Sequence, residues 1–150
     1  MKLAEALQLR ADLKRQIEQL SNRLYNNAVV QQDEKVNEEP QELLKQLNLC
    51  QKQLQQLVCR INMTNCNSKV DGETLTEMIS KKDCLLSTIS IYQRLADSAS
   101  TNTFRATRTE IKILPTVNVK DIQKKIDSLS KQLRLLDNKI QKANWEIELL

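Results

Sequence analysis

The sequence predicts an all-α protein of long antiparallel helices, arranged as a four-helix bundle or as coiled-coil hairpins, with a short β-strand or hairpin insertion before the last helix. Three observations carry this. The 150 residues include one Gly, two Pro, 28% charged and 3% aromatic side chains, the balance of long helices. Apolar residues recur at alternating three- and four-residue steps in separate long stretches. The connections are shorter than the stretches they join, which makes successive helices run up, down, up and down. Residues 1–150 read as a single helical domain, with helices at about 3–27, 41–64, 75–99 and 119–149 and a strand-like segment at about 107–114.

The first helix is an amphipathic stripe through Ala6, Leu13, Ile17, Leu20 and Leu24, with Arg10 its one polar intrusion. The following "YNNAVVQQDEKVNEEP" loses the period and gathers Asn and acid, so it is a connection; Pro40 stands where a second helix takes its first turn. That helix carries Leu43, Leu47, Cys50, Leu54, Leu57 and Ile61 in a/d order and is expected to stop in "NMTNCNSKVDGE", whose Asn, Ser and Asp-Gly are turn chemistry. Thr74 and Glu77 form a capping-box pattern ahead of the third helix, in which each side chain can satisfy an orphan backbone donor. Apolar residues there, among them Met78, Ile79, Leu86, Ile91 and Leu95, cover more than one face, the pattern of an enclosed helix. "EIKILPTVNV" then alternates charge and aliphatic up to Pro115, which is strand spacing. Asn118 is the candidate cap of the last helix, whose narrow seam runs through Ile122, Ile126, Leu129, Leu133, Leu136, Ile140, Ala143 and Ile147.

Antiparallel order would bring "MKLAEAL", "RINMTN", "DGETLTE" and "NWEIELL" to one pole. Asn62, Asn65, Asn144 and Trp145 are the candidate structural or interaction pole, with the indole N–H of the only tryptophan satisfied by an amide carbonyl and the ring buried as a plug. At the opposite pole the acidic connection, with Asp33, Glu34, Glu38 and Glu39, faces a segment bearing Arg105, Arg108 and Lys112. Ile111 and Ile113 are the candidate oligomer edge, because a short strand presents unpaired backbone groups that a symmetry mate can satisfy.

Several function classes find no support in these residues. There is no His, no phosphate-cradling Gly loop and no nucleophile beside an evident base, so no catalytic residue and no cofactor site is expected and the chain reads as a non-enzyme. Cys50, Cys59, Cys66 and Cys84 lack the paired spacings of a zinc site and read as free thiols, with Cys59 or Cys66 the candidates for any thiol chemistry. Asp71-Gly72 lacks the alternating acids of a calcium loop. Glu5, Arg10 and Asp12 interrupt the apolar run that a signal peptide needs, and "CLLSTISIYQ" is too short to cross a bilayer as a helix. A cytoplasmic location follows as the expectation. The formal charge of +4 is spread with both signs through both halves, and the lysines of the last helix alternate with Asp121, Asp127, Asp137 and Glu146, which is the pattern of a solvated face.

In this setting "MKLAEALQLRADLKRQIEQL", "RINMTN", "DGETLTE", "EIKILPTVNV" and "LDNKIQKANWEIELL" together resemble the septicolysin-like family of small bacterial proteins, with "INMTN" and "NWEIELL" the most specific parts. The resemblance spans essentially the whole chain. It implies a helical, coiled-coil-rich bacterial protein of unknown biochemical function, and the family name implies a cytolysin. The residues themselves point to a structural or interaction protein that associates with itself and can receive a protein partner. A membrane-active protein is the alternative that the name supplies, and weak nucleic-acid binding is the third.

Overall fold

A computed structural model of the chain describes residues 1–101 and 113–150. Its elements are α1 (Leu3–Asn26), α2 (Pro40–Asn67), β1 (Lys69–Val70), β2 (Glu73–Thr74), α3 (Leu75–Thr101) and α4 (Val119–Glu146), so the protein is mostly helical. Contacts gather into two compact units, Met1–Ser68 with Ala143–Leu150, and Lys69–Lys142.

In the first unit α1 and α2 form an antiparallel hairpin. Ala6, Leu13 and Leu20 are buried on α1, and Leu43, Cys50, Leu57 and Thr64 on α2, each a seven-residue repeat that keeps one seam facing the partner helix. Near the connection Leu20, Leu43 and Cys50 form a cluster flanked by Ile17, Leu24 and Leu47. The connection itself is tied to α1. Arg23 donates from Nε to Glu38 Oε2 at 3.0 Å, and Asn27 accepts the Glu38 backbone N–H at 3.2 Å. The guanidinium thereby holds the Glu38 carboxyl below its ordinary range. Pro40 stands at the start of α2 as expected, where its missing N–H costs nothing.

The sequence reading ended the second helix too early. α2 continues through "MTNCN" because Thr64 falls on the buried seven-residue repeat, and the side chains of Thr64 and Asn67 are satisfied within the helix by the carbonyls of Arg60 (2.9 Å) and Met63 (2.8 Å). The last helix, conversely, stops at Glu146. Residues 147–150 turn out of the helix, and Glu148 bridges antiparallel to Lys2.

The second unit begins with a two-residue hairpin. Asp71 (φ 51°) and Gly72 (φ 89°) both take positive φ, the requirement of a type I′ turn, and register pairs Lys69 with Thr74 and Val70 with Glu73. The turn residues read from "VDGE" thus close a small antiparallel sheet between α2 and α3. Of the segment read as strand-like at 107–114, residues 107–112 lie outside the described residues, and with them Arg108, Ile111 and Lys112; so does Arg105. Ile113 and Leu114 are exposed and outside any strand.

The capping box forms. Thr74 N–H donates to Glu77 Oε2 at 2.7 Å, and Glu77 N–H donates to Thr74 Oγ1 at 3.2 Å. α3 then packs on α4 through Ile89, Ala96, Ile122, Ile126 and Leu129, with Tyr92 and Leu133 against them. Asn118 caps α4 as expected, its Oδ1 accepting the N–H groups of Lys120 (3.0 Å) and Asp121 (3.3 Å). Lys82 to Asp137 (2.5 Å) and Lys139 to Asp71 (3.1 Å) add ion pairs from α3 and from the hairpin turn to α4.

α3 is not the enclosed helix that its composition suggests. It buries Leu75, Met78, Ile89 and Ala96, while Leu86, Ile91 and Leu95 stand 46%, 59% and 41% exposed. Helical geometry explains the difference: 75, 78, 85, 89, 92 and 96 share one stripe, and 86, 91 and 95 fall off it.

Candidate functional site

The start of α1, the end of α2 and the last residues of the chain meet in the first unit, as the antiparallel order required. Their joint is a clasp of backbone and side-chain bonds. Leu3 N–H donates to the Ile147 carbonyl and Leu149 N–H to the Met1 carbonyl, both at 2.9 Å. Lys2 Nζ reaches Glu148 Oε1 at 2.7 Å and the Glu146 carbonyl at 3.0 Å, while the Met1 ammonium meets Glu148 Oε2 at 3.1 Å. These hydrogen bonds to two cations hold the Glu148 carboxyl below its ordinary range. Beneath the clasp lies Thr64, fully buried, whose hydroxyl accepts the Leu150 N–H at 3.0 Å. Arg60 Nε donates to the Leu150 carbonyl at 2.7 Å.

The residues proposed for this pole separate. Asn144 is buried and Asn65 half-buried, whereas Asn62 is exposed. Trp145 is 61% exposed, so the indole is not a plug. The α4 seam accounts for this: with Ile140 and Ala143 at a and d, Trp145 takes the f position, the one pointing directly away from the partner helix. The buried polar centre of the joint is Thr64, which the sequence reading passed over. "DGETLTE" belongs to the second unit.

Beside the clasp, the seam between α1 and α2 opens into a groove of about 830 Å³. Leu13 and Leu57 form its base and are buried; Leu9 and Met1 line it while standing 42% and 50% exposed. Lys52, Arg60 and three glutamines, at 53, 55 and 56, border it, and no acidic residue among those described lines it. Neither wall was visible in the sequence as a site, because Leu13 and Leu57 read as members of packed stripes and Leu9 fell outside the stripe of the first helix.

Among the described residues no cluster of His, Cys, Asp or Glu could hold a metal ion. Cys50 is buried in the α1–α2 cluster, while Cys59, Cys66 and Cys84 are exposed and in no disulfide. No helix of the described residues is long and apolar enough to cross a membrane.

Comparison with known proteins adds to this geometry. The model of a family of unknown function, DUF6847, matches residues 10–149. The crystal structure of a functionally unknown conserved protein from Corynebacterium diphtheriae is similar at 37% identity and a TM-score of 0.94, over 100% of this chain and 99% of that one. No curated protein matches.

Proposed function

We propose that this chain, which belongs to the DUF6847 family of unknown function, is a non-enzymatic helical interaction protein that assembles with a second copy of itself. The observation that carries the reading is the apolar face left on the second unit. Ile91 and Leu95 of α3 stand 59% and 41% exposed, and Leu95 lines a cleft of about 190 Å³ with Leu114, 73% exposed, and Val117. Contiguous apolar surface of this kind marks an interaction face. A second copy suits it on charge: α3 carries Glu77, Asp83 and Asp97 against Lys81, Lys82 and Arg94, so two α3 helices related by a two-fold axis meet without net repulsion. Ile113, 41% exposed and next to Leu114, extends the same face. The coiled-coil seams of the hairpins and the wider four-helix bundle belong to this reading too, supported by the seven-residue repeats of α1 and α2.

Light scattering during gel filtration tests it. Ile91→Glu and Leu95→Glu place charge on exposed positions and leave the α3–α4 core intact, so helicity should persist while the mass falls to that of one 17.3 kDa chain. A wild-type mass of one chain at concentrations of about 100 μM, where an association free energy of only about 5.5 kcal/mol would already show as dimer, refutes the proposal. The lytic activity implied by the septicolysin-like resemblance rests on that resemblance alone; dye release from liposomes over a range of lipid charge is its test.

A further inference from the structure

We propose that the groove between α1 and α2 is a docking site for an acidic amphipathic helix of a partner protein. It stands apart from self-assembly, since it lies in the first unit and uses no residue of α3. Shape is the first argument. A groove along the seam of two antiparallel helices offers apolar side chains from both walls, here Leu9 and Leu13 one turn apart on α1 and Leu57 on α2, which is the arrangement that receives the apolar face of a third helix. Met1 closes one end with an unbranched side chain that can adapt to what it touches.

Charge identifies the occupant. Lys52 has no hydrogen-bond or ion-pair partner among the described residues, and Arg60 bonds only through Nε, leaving its two terminal nitrogens for a ligand. The acids that could have answered them are engaged elsewhere: Glu5 accepts the Lys2 N–H, Asp12 pairs with Arg15, and Glu148 with Lys2. Two cations over an apolar groove, answered by no acidic side chain among the described residues, favour a ligand that brings carboxylates. A helix of a second copy cannot bring them well, because α1, α2 and α4 each carry more basic than acidic residues and α3 carries equal numbers, while the acidic connection at 27–39 is not helical. A small acidic amphiphile fits less well than a helix. Such ligands are normally about 70–90% enclosed, and here Leu9 and Met1 remain 42% and 50% exposed, so an acyl chain would stay half in water.

The test uses the full ¹⁵N-labelled chain and a capped peptide of about 18 residues, roughly 27 Å as a helix, made of Leu, Ala and Glu with Leu on one face and Glu flanking it. The proposal expects amide shifts confined to the groove, centred on Leu9, Gln56 and Arg60. Affinity should fall at least about ten-fold in Lys52→Glu, in Leu9→Glu, and for the same peptide with Lys in place of Glu. Leu9 and Lys52 are surface positions, and unchanged circular dichroism confirms that both variants fold. Several results overturn it: no shifts at millimolar peptide, equal binding of a peptide with the Leu positions scrambled, equal binding of the Lys peptide, or displacement of the acidic peptide by dodecanoate at the same amides. Concentration-dependent shifts at those amides without peptide would assign the groove to a second copy and overturn it as well. The mass by light scattering is read separately, so failure of the peptide leaves self-assembly standing, and the reverse.

Discussion

Thr64→Val removes one oxygen from a fully buried site and leaves the shape of the side chain almost unchanged. Two hydrogen bonds depend on that oxygen. The bond to the Arg60 carbonyl, at 2.9 Å, is dispensable, because that carbonyl still lies within reach of the helical N–H four residues on. The other is the bond at issue: the Leu150 N–H donates to Thr64 Oγ1 at 3.0 Å, while the neighbouring backbone acceptors of the clasp, Ile147 and Met1, already receive Leu3 and Leu149. Stranding a partly buried donor costs about 1–3 kcal/mol. Exchanging the hydroxyl for a methyl in a core position returns about 0.8 kcal/mol. The net loss is about 1 kcal/mol, or about 2–4 °C in Tm for a chain of this size. Urea unfolding measures the stability, and hydrogen exchange at the amides of residues 147–150 locates it. Protection should fall at Leu149 and Leu150 before it falls at Leu43 or Cys50. Thr64→Ser, which keeps the oxygen and loses the methyl, should retain the protection of Leu150. A Val variant as stable as wild type, with Leu150 still protected, would show that the hydroxyl does not hold the tail.

Trp145 fluorescence should be that of a solvated indole, quenched readily by acrylamide, and Trp145→Ala should cost less than about 0.5 kcal/mol, the usual range for a surface site; a blue-shifted, quench-resistant emission would contradict its 61% exposure. Asn118→Ala should destabilise the second unit by about 1 kcal/mol through loss of the α4 cap, read by denaturation, and Asn118→Asp should restore it. The Glu77 carboxyl is held below its ordinary range, first by the Thr74 backbone N–H and then by the Thr74 hydroxyl. A depressed folded pKa contributes stability that is present above the unfolded pKa and is lost as pH falls through the folded one. Glu77→Gln should therefore be less stable than wild type at neutral pH and converge with it in acid; a constant difference across the titration would count against the capping box. Glu148, held down by Lys2 and the Met1 ammonium, should add to the same acid loss, and protection of the Leu3 amide should weaken with it.

Repeats and caps were legible in the sequence because both are local. The seam from Ala6 to Leu20 and that from Leu43 to Leu57, Pro40 at a helix start, the Thr74–Glu77 box, the Asp71-Gly72 turn and the Asn118 cap need only the residues beside them. Misreadings arose where a distant segment decided the outcome. Ile147 and Leu149 continue the apolar rhythm of α4, yet the Leu3 N–H and the Met1 carbonyl offered them extended pairing instead, and the helix ended at Glu146. The breadth of apolar residues on α3 showed how much apolar surface the helix owns and not how much of it is covered. Two facts were in reach and were not used. Seven residues beyond Leu57 lies Thr64, and counting the repeat on would have marked it as buried; the same counting on α4 puts Trp145 at an outward position.

A polar residue on a buried seam is tolerated where its hydrogen bonds are satisfied, and here one of the groups that satisfies it belongs to the last residue. Because Thr64 accepts the Leu150 N–H, the end of the chain is fixed in register against α2. Once Leu150 is fixed, its carbonyl receives Arg60 Nε at 2.7 Å and orients the guanidinium that borders the groove. The bridged segment around Glu148 in turn holds Met1, the end wall of that groove, by the Leu149 N–H at 2.9 Å. Clasp and groove are therefore one mechanical unit. An aliphatic residue at position 64 would pack the seam as well, but it would remove one of the bonds that set the end wall and one of the two cations in place. Thr64→Val should accordingly weaken an acidic helix at the groove even though the hydroxyl lies beneath the clasp and lines no part of that groove.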